Sequence, residues 1–159
     1  MSSSSSRYKW RGSTRKVVSA PIERLWAVAS DYCNLHQWIP ALHVCRWIAG
    51  DHPRAPGSVR YVEGSSTGCD GRKSWAKEKL LTMDESSHTI SYALIESNLG
   101  MEDYVATMRV LGGPDGHNTV EWSFELSPME GASQEKVIGR LTSVLFTYIG
   151  YLEAAARSY

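Results

Sequence analysis

Arg60 and Glu78 are the side chains of this chain best suited to chemistry, a guanidinium and a carboxylate each set among residues expected to face inward on a strand. Successive side chains of a strand point to opposite faces. In Ser74-Trp-Ala-Lys-Glu-Lys-Leu80, Ser74, Ala76, Glu78 and Leu80 therefore share one face, while Trp75, Lys77 and Lys79 share the other, wet one. Ser58, Arg60 and Val62 line up in the same way within residues 57–64. A hairpin with its tip near Thr67-Gly-Cys-Asp-Gly71, centred on Cys69, sets position 60 across from position 78. Charges removed from water are expensive, and an apolar pair would often serve stability as well. A carboxylate that takes and returns a proton, beside a guanidinium fork that holds an oxygen as negative charge builds there, is a general acid–base site. Taken alone, such a pair is more commonly a structural ion pair, and that alternative stays open, as does the protonation state of Glu78.

These two strands need a sheet to hold them. Residues 9–20 read as a strand, and Pro21 stands where a helix starts, with Ile22, Leu25, Trp26 and Ala29 giving it one apolar face. Asp31 is expected to cap a second short helix through Tyr32, Leu35 and Trp38, ended by Pro40. Strand candidates follow at 43–49, 57–64, 74–83, 88–97, 102–111 and 118–127, separated by clusters of Gly, Pro, Asp and Ser. In the last of them Val120, Trp122, Phe124 and Leu126 alternate with Glu121, Ser123, Glu125 and Ser127, so one face of the sheet is dry. From about Ser133 onward Val137, Leu141, Val144, Leu145, Tyr148 and Leu152 recur at helical spacing, predicting a long amphipathic helix that covers that face. The expected fold is α+β: a curved seven-stranded antiparallel sheet around a long C-terminal helix, with two short helices after the first strand and a pocket between sheet and helix.

Composition narrows the partners. Residues 1–7 are expected to form a disordered, serine-rich leader and 8–159 a single domain, a size that supports a core with a cavity. Seventeen Lys and Arg balance seventeen Asp and Glu, which argues against nucleic acid as a partner. The start lacks the apolar stretch of a secretory signal, and no hydrophobic run approaches a membrane span. A cytoplasmic protein, monomeric or weakly dimeric, is expected. Cys33, Cys45 and Cys69 are odd in number and widely spaced, which suits a reducing compartment. Cys33-x-x-His36 and His43-x-Cys45 lie close together, but the second spacing is short for a zinc site and Pro40 interrupts the segment, so no metal is expected. Gly112-Gly-Pro-Asp-Gly116 reads as a turn rather than a nucleotide loop, and there is no nucleophile elbow.

Asp31-Tyr-Cys-Asn-Leu-His36, Val59-Arg-Tyr-Val-Glu-Gly64, Trp75-Ala-Lys-Glu-Lys-Leu80, Glu102-Asp-Tyr-Val-Ala-Thr-Met108 and Trp122-Ser-Phe124, taken as a set, resemble the lachrymatory-factor synthase family of plants, within the Bet v 1/START helix-grip superfamily. The resemblance covers nearly the whole chain. It implies a cofactor-free isomerase that rearranges an alkenyl sulfenic acid, delivered by an alliinase-type C–S lyase, into a thial S-oxide. The family's essential arginine and glutamate match Arg60 and Glu78, its pocket tyrosines match Tyr92 and Tyr104, and a pocket tryptophan matches Trp122. Two departures stand out: Ser74 replaces a pocket phenylalanine, and a tryptophan of the last helix falls near Leu145 across a one-residue gap. A wider, more polar pocket follows. Abscisic acid receptors share the fold, but their gate and latch motifs are absent, with Gly64-Ser-Ser-Thr-Gly68 and Leu99-Gly-Met-Glu102 in their places.

The expected catalytic set is therefore Arg60, Glu78 and Tyr104, with Tyr104 assisting by a hydrogen bond. Tyr92, Trp122, Ser74, Met108, Leu145 and Trp38 are the expected substrate contacts around a closed, largely apolar cavity. Tyr92 and Tyr104 could equally be core tyrosines with satisfied hydroxyls. Two other functions stay open: an isomerase, cyclase or dehydratase of a different plant metabolite, and a carrier or sensor of a small hydrophobic ligand.

Overall fold

The computed structural model describes residues 8–158, and the expected leader over 1–7 lies outside them. Strand β1 (Trp10–Val18) is followed by helix α1 (Ile22–Ala29), strands β2 (Leu42–Ala49), β3 (Val59–Thr67), β4 (Lys73–Asp84), β5 (Thr89–Ser97), β6 (Val105–Leu111) and β7 (Asn118–Leu126), and helix α2 (Gln134–Arg157). Strands β2 to β7 form an antiparallel meander, and β1 joins it alongside β7, giving the order β1-β7-β6-β5-β4-β3-β2. This is the helix-grip arrangement: a curved seven-stranded sheet holding a long terminal helix.

The elements begin and end where local chemistry dictates. Pro21, in extended conformation, precedes α1, which buries Leu25, Trp26 and Ala29. Ser133 caps α2 by accepting the Lys136 N–H, and the helix buries Leu145, Ile149, Leu152 and Ala156. On β7, Val120, Trp122, Phe124 and Leu126 are all buried, the dry face that the alternation predicts. The helix lies close to β1: a Cβ on Gly12 would come within 2.5 Å of Phe124 Cζ and 2.9 Å of Ile138 Cγ2. The bare glycine lets strand and helix meet. Lys16 and the Ser19 N–H then tie β1 and its exit to Glu153 of α2, at 2.9 and 2.8 Å.

The second short helix differs from the expectation. Residues Leu35–Gln37 make one 3₁₀ turn, and Asp31 Oδ1 accepts from the Asn34 side chain instead of capping a helix. Pro40 disfavours helical backbone at Ile39, so too few residues remain for an α-helix. The turn still matters to the site, because it buries Leu35, Trp38 and Ile39 and aims Tyr32 inward.

Candidate active site

The β3–β4 hairpin pairs Arg60 with Glu78, Val62 with Ala76 and Tyr61 with Lys77, the predicted register. The tip pairs Thr67 with Lys73, and the register shifts between Glu63 and Thr67, which marks a bulge. Arg60 is 3% exposed, so its charge is fully enclosed. Its Nε donates to one carboxylate oxygen, Glu78 Oε1, at 2.8 Å, and its Nη2 makes an ion-pair contact of 2.7 Å with the same oxygen. Its Nη1 donates to the Tyr32 carbonyl at 2.8 Å. The guanidinium carbon lies 3.9 Å from the centre of the Tyr32 ring and 4.7 Å from that of Tyr92, close enough for cation–π attraction to both. Tyr32 closes the loop by donating its hydroxyl to the Glu78 carbonyl at 3.0 Å.

This arrangement leaves particular atoms free. Glu78 Oε2 has no hydrogen-bond partner among the described residues. The Tyr92 hydroxyl oxygen accepts from Trp122 Nε1 at 3.2 Å, which leaves its own proton available. Both side chains line a cavity of about 460 Å³, together with Leu35, Leu42, Val62, Leu99, Trp122 and, on α2, Val144 and Tyr148. Among the described residues Glu78 is the only carboxylate in that wall. Burial pushes the phenols of Tyr32, Tyr92, Tyr104 and Tyr148 above the ordinary tyrosine value, so near neutral pH they donate protons and do not act as bases. Burial alone would weaken the hold of Arg60 on its proton, but Tyr32 and Glu78 outweigh it and keep the guanidinium charged.

Of the expected site residues, Arg60, Glu78, Tyr92, Trp122 and Ser74 meet in the cavity wall. Tyr104, Met108, Leu145 and Trp38 are buried outside it. Tyr104 stacks on Phe124 with ring centres 5.9 Å apart. Leu145 points into the core, and its neighbour Val144, 39% exposed, faces the cavity instead. The cavity is not closed: the exposed Ser143, Val144, Thr147 and Tyr151 of α2 line it, as do the exposed Ser65 and Ser66 of β3. Short hydroxyl side chains at 143 and 147 are too small to seal the gap between helix and sheet. Tyr32, Tyr148 and the Ser65–Ser66 pair escaped the sequence reading. Tyr148 carried a usable signal, its place on the helix stripe one turn from Val144; for Tyr32 the only one was its place in the Asp31–His36 stretch.

Among the described residues no three His, Cys, Asp or Glu side chains gather as a metal-binding group, and no helix is long and apolar enough to cross a membrane. Cys33 and Cys45 are buried, and burial raises both thiols above their ordinary value.

Fold and site together define a helix-grip protein with an arginine–glutamate ion pair at the wall of an open, mostly apolar cavity. The chain belongs to the polyketide cyclase/dehydrase and lipid transport family, whose pattern matches residues 9–146. Among solved structures it is similar to Ara h 8.0201, with a TM-score of 0.75 at 16% identity, covering 96% of this chain and 100% of that one. It is also similar to XoxI from Bacillus cereus, with a TM-score of 0.73 at 20% identity over 92% and 94% of the two chains. A protein from Nitrosospira multiformis gives a TM-score of 0.72 at 22% identity over 92% and 95%. These likenesses establish a Bet v 1-like helix-grip fold.

Proposed function

We propose that this protein is a cofactor-independent isomerase that moves a proton within a small, reactive substrate, with Glu78 as the acid–base group. The observation that carries this reading is the one-sided grip on Glu78: Arg60 engages Oε1 twice and leaves Oε2 unpartnered at a cavity wall. A purely structural ion pair would gain by using both oxygens of the carboxylate. Here one oxygen anchors the group and the other is left to react.

The substrate implied by the resemblance is an alkenyl sulfenic acid. Glu78 Oε2 accepts the sulfenic O–H proton and returns one to the distal alkene carbon. The C=C bond becomes single, the C–S bond becomes double, and the oxygen stays on sulfur as a thial S-oxide. Tyr92 donates a hydrogen bond from its free hydroxyl to that oxygen as negative charge builds there, keeping its own proton. Arg60 acts chiefly by fixing Glu78, its remaining N–H groups adding positive field.

A second reading is favoured by the cavity's size and opening. About 460 Å³ lies within the range of pockets for drug-sized ligands, and Ser74 stands where the resembling family has a phenylalanine. The same acid–base pair would then isomerise, cyclise or dehydrate a larger metabolite.

The test couples the purified protein to an alliinase and 1-propenyl cysteine sulfoxide, with headspace analysis for the thial S-oxide, beside Glu78→Gln. Product from the wild type alone supports both substrate and base. Product from both proteins removes Glu78 from the reaction. No product from folded wild type withdraws the sulfenic acid and leaves the larger substrate.

A further inference from the structure

The cavity has a second polar end. Ser74 lies on the same face of β4 as Glu78, four residues away, a separation of about 13 Å at the rise of a strand. Between them Ala76, and across from it Val62, keep the wall apolar. Ser74 is 6% exposed, and its oxygen accepts the Ser66 hydroxyl proton at 2.9 Å. Its own proton has no acceptor among the described residues, although a buried hydroxyl normally finds one.

Two features of the backbone hold this end open. A Cβ on Gly64 would come within 2.9 Å of Ser74 Oγ, so the glycine reserves space for the hydroxyl. The register shift between Glu63 and Thr67 leaves Ser65 and Ser66 unpaired with β4, and both stand at the cavity wall. Bulge, glycine and buried hydroxyl thus converge on one spot.

We infer that Ser74, set by Ser66, is a distal hydrogen-bond donor for an elongated, mainly apolar substrate that carries an oxygen function about a cavity length from its reacting end. This rests on the proposed reading in taking Glu78 as the reacting end, and it names the substrate class more closely. An alkenyl sulfenic acid fills only the Glu78 end. The larger substrate of the second reading reaches both, and Ser74 selects molecules whose far terminus accepts a hydrogen bond.

The experiment measures affinity without turnover, from the tryptophan fluorescence of the cavity or by calorimetry, for octanediol with a hydroxyl at each end and for octanol. In the wild type the diol is held in preference to what its lower hydrophobicity predicts. In Ser74→Ala the ratio of the two affinities shifts against the diol by about fivefold, the effect of one hydrogen bond. Ser74→Cys, which leaves no void and carries a weaker donor, gives an intermediate ratio and guards against a cavity defect in the alanine variant. Glu78→Gln keeps the Ser74-dependent ratio while removing sulfenic acid turnover, so loss of the reaction and loss of the distal subsite are separate results. An unchanged ratio in both Ser74 variants overturns the inference, whatever the activity.

Discussion

Arg60 and Glu78 face each other across β3 and β4, joined by a hydrogen bond of 2.8 Å and an ion-pair contact of 2.7 Å that both end on a single carboxylate oxygen. The guanidinium is buried, while the carboxylate side chain keeps 16% of its surface open towards the cavity. The pair is therefore asymmetric, with an anchored cation and a half-free anion. Its consequences for stability and for catalysis can be separated.

Removing only the cation should hurt stability. Arg60→Met leaves an uncompensated carboxylate and an unsatisfied Tyr32 carbonyl, and should destabilise the fold by about 3 kcal/mol, the low end for a broken buried pair because Glu78 retains its cavity side. The double variant Arg60→Met/Glu78→Leu should be more stable than the single one. Urea unfolding of the three proteins checks this, and equal stability of single and double variants would show that burial of the charge carries little cost.

Replacing the carboxylate alone should separate the two roles the other way. Glu78→Gln keeps an amide oxygen for Arg60 but removes the base, so turnover should fall by about 10²- to 10⁴-fold with a small change in melting temperature. Comparable losses in activity and in stability would mean that the residue is structural.

Tyr92→Phe and Tyr104→Phe should behave differently. The first strips Trp122 Nε1 of its acceptor and the cavity of a free donor. It should cost about 1–3 kcal/mol of stability and lower kcat. Tyr104 stands outside the cavity wall, so its loss should move kcat less. A larger kcat loss in Tyr104→Phe would return the donor role to that residue.

Stability should fall at both ends of the pH scale for identifiable reasons. Burial raises Tyr32, Tyr92 and Tyr104 above their unfolded value of about 10, so their contribution is complete below that pH and is lost as pH rises beyond it. The tyrosinate absorbance of these residues should therefore appear only as the protein unfolds. At the acid end, burial works to raise Glu153, but the Ser19 N–H and Lys16 outweigh it and hold the carboxyl below the ordinary value. Its contribution is present above about pH 4.3 and is lost as pH falls through the depressed value. Glu153→Gln should flatten the acid limb of stability against pH; an unaltered limb would remove this tie from the account.

Gly12→Ala tests the packing of helix on sheet. The added methyl meets Phe124 and Ile138, and overpacking of this kind should cost about 1–3 kcal/mol, read as a lowered melting temperature.

Much of this was written in local pattern. Alternation with a period of two placed Arg60, Glu78 and Ser74 on inward faces, and hairpin symmetry about Cys69 set the pairing of 60 with 78, because strand register follows from turn position and face. The helical stripe from Val137 to Leu152 marked α2, and the alternation of β7 marked the dry face it covers. These are properties of neighbours in the chain, and a sequence records them directly. Tertiary structure decided what depends on distant segments meeting. Tyr32 reaches Arg60 and Glu78 only because the turn before Pro40 folds back over the hairpin. Val144 rather than Leu145 faces the cavity because the rotation of α2 is set by its packing on β1. The open mouth, the bulge that brings Ser65 and Ser66 to its rim, and the choice of which carboxylate oxygen is left free are likewise set by the docking of helix on sheet, whose angle and depth no local period contains.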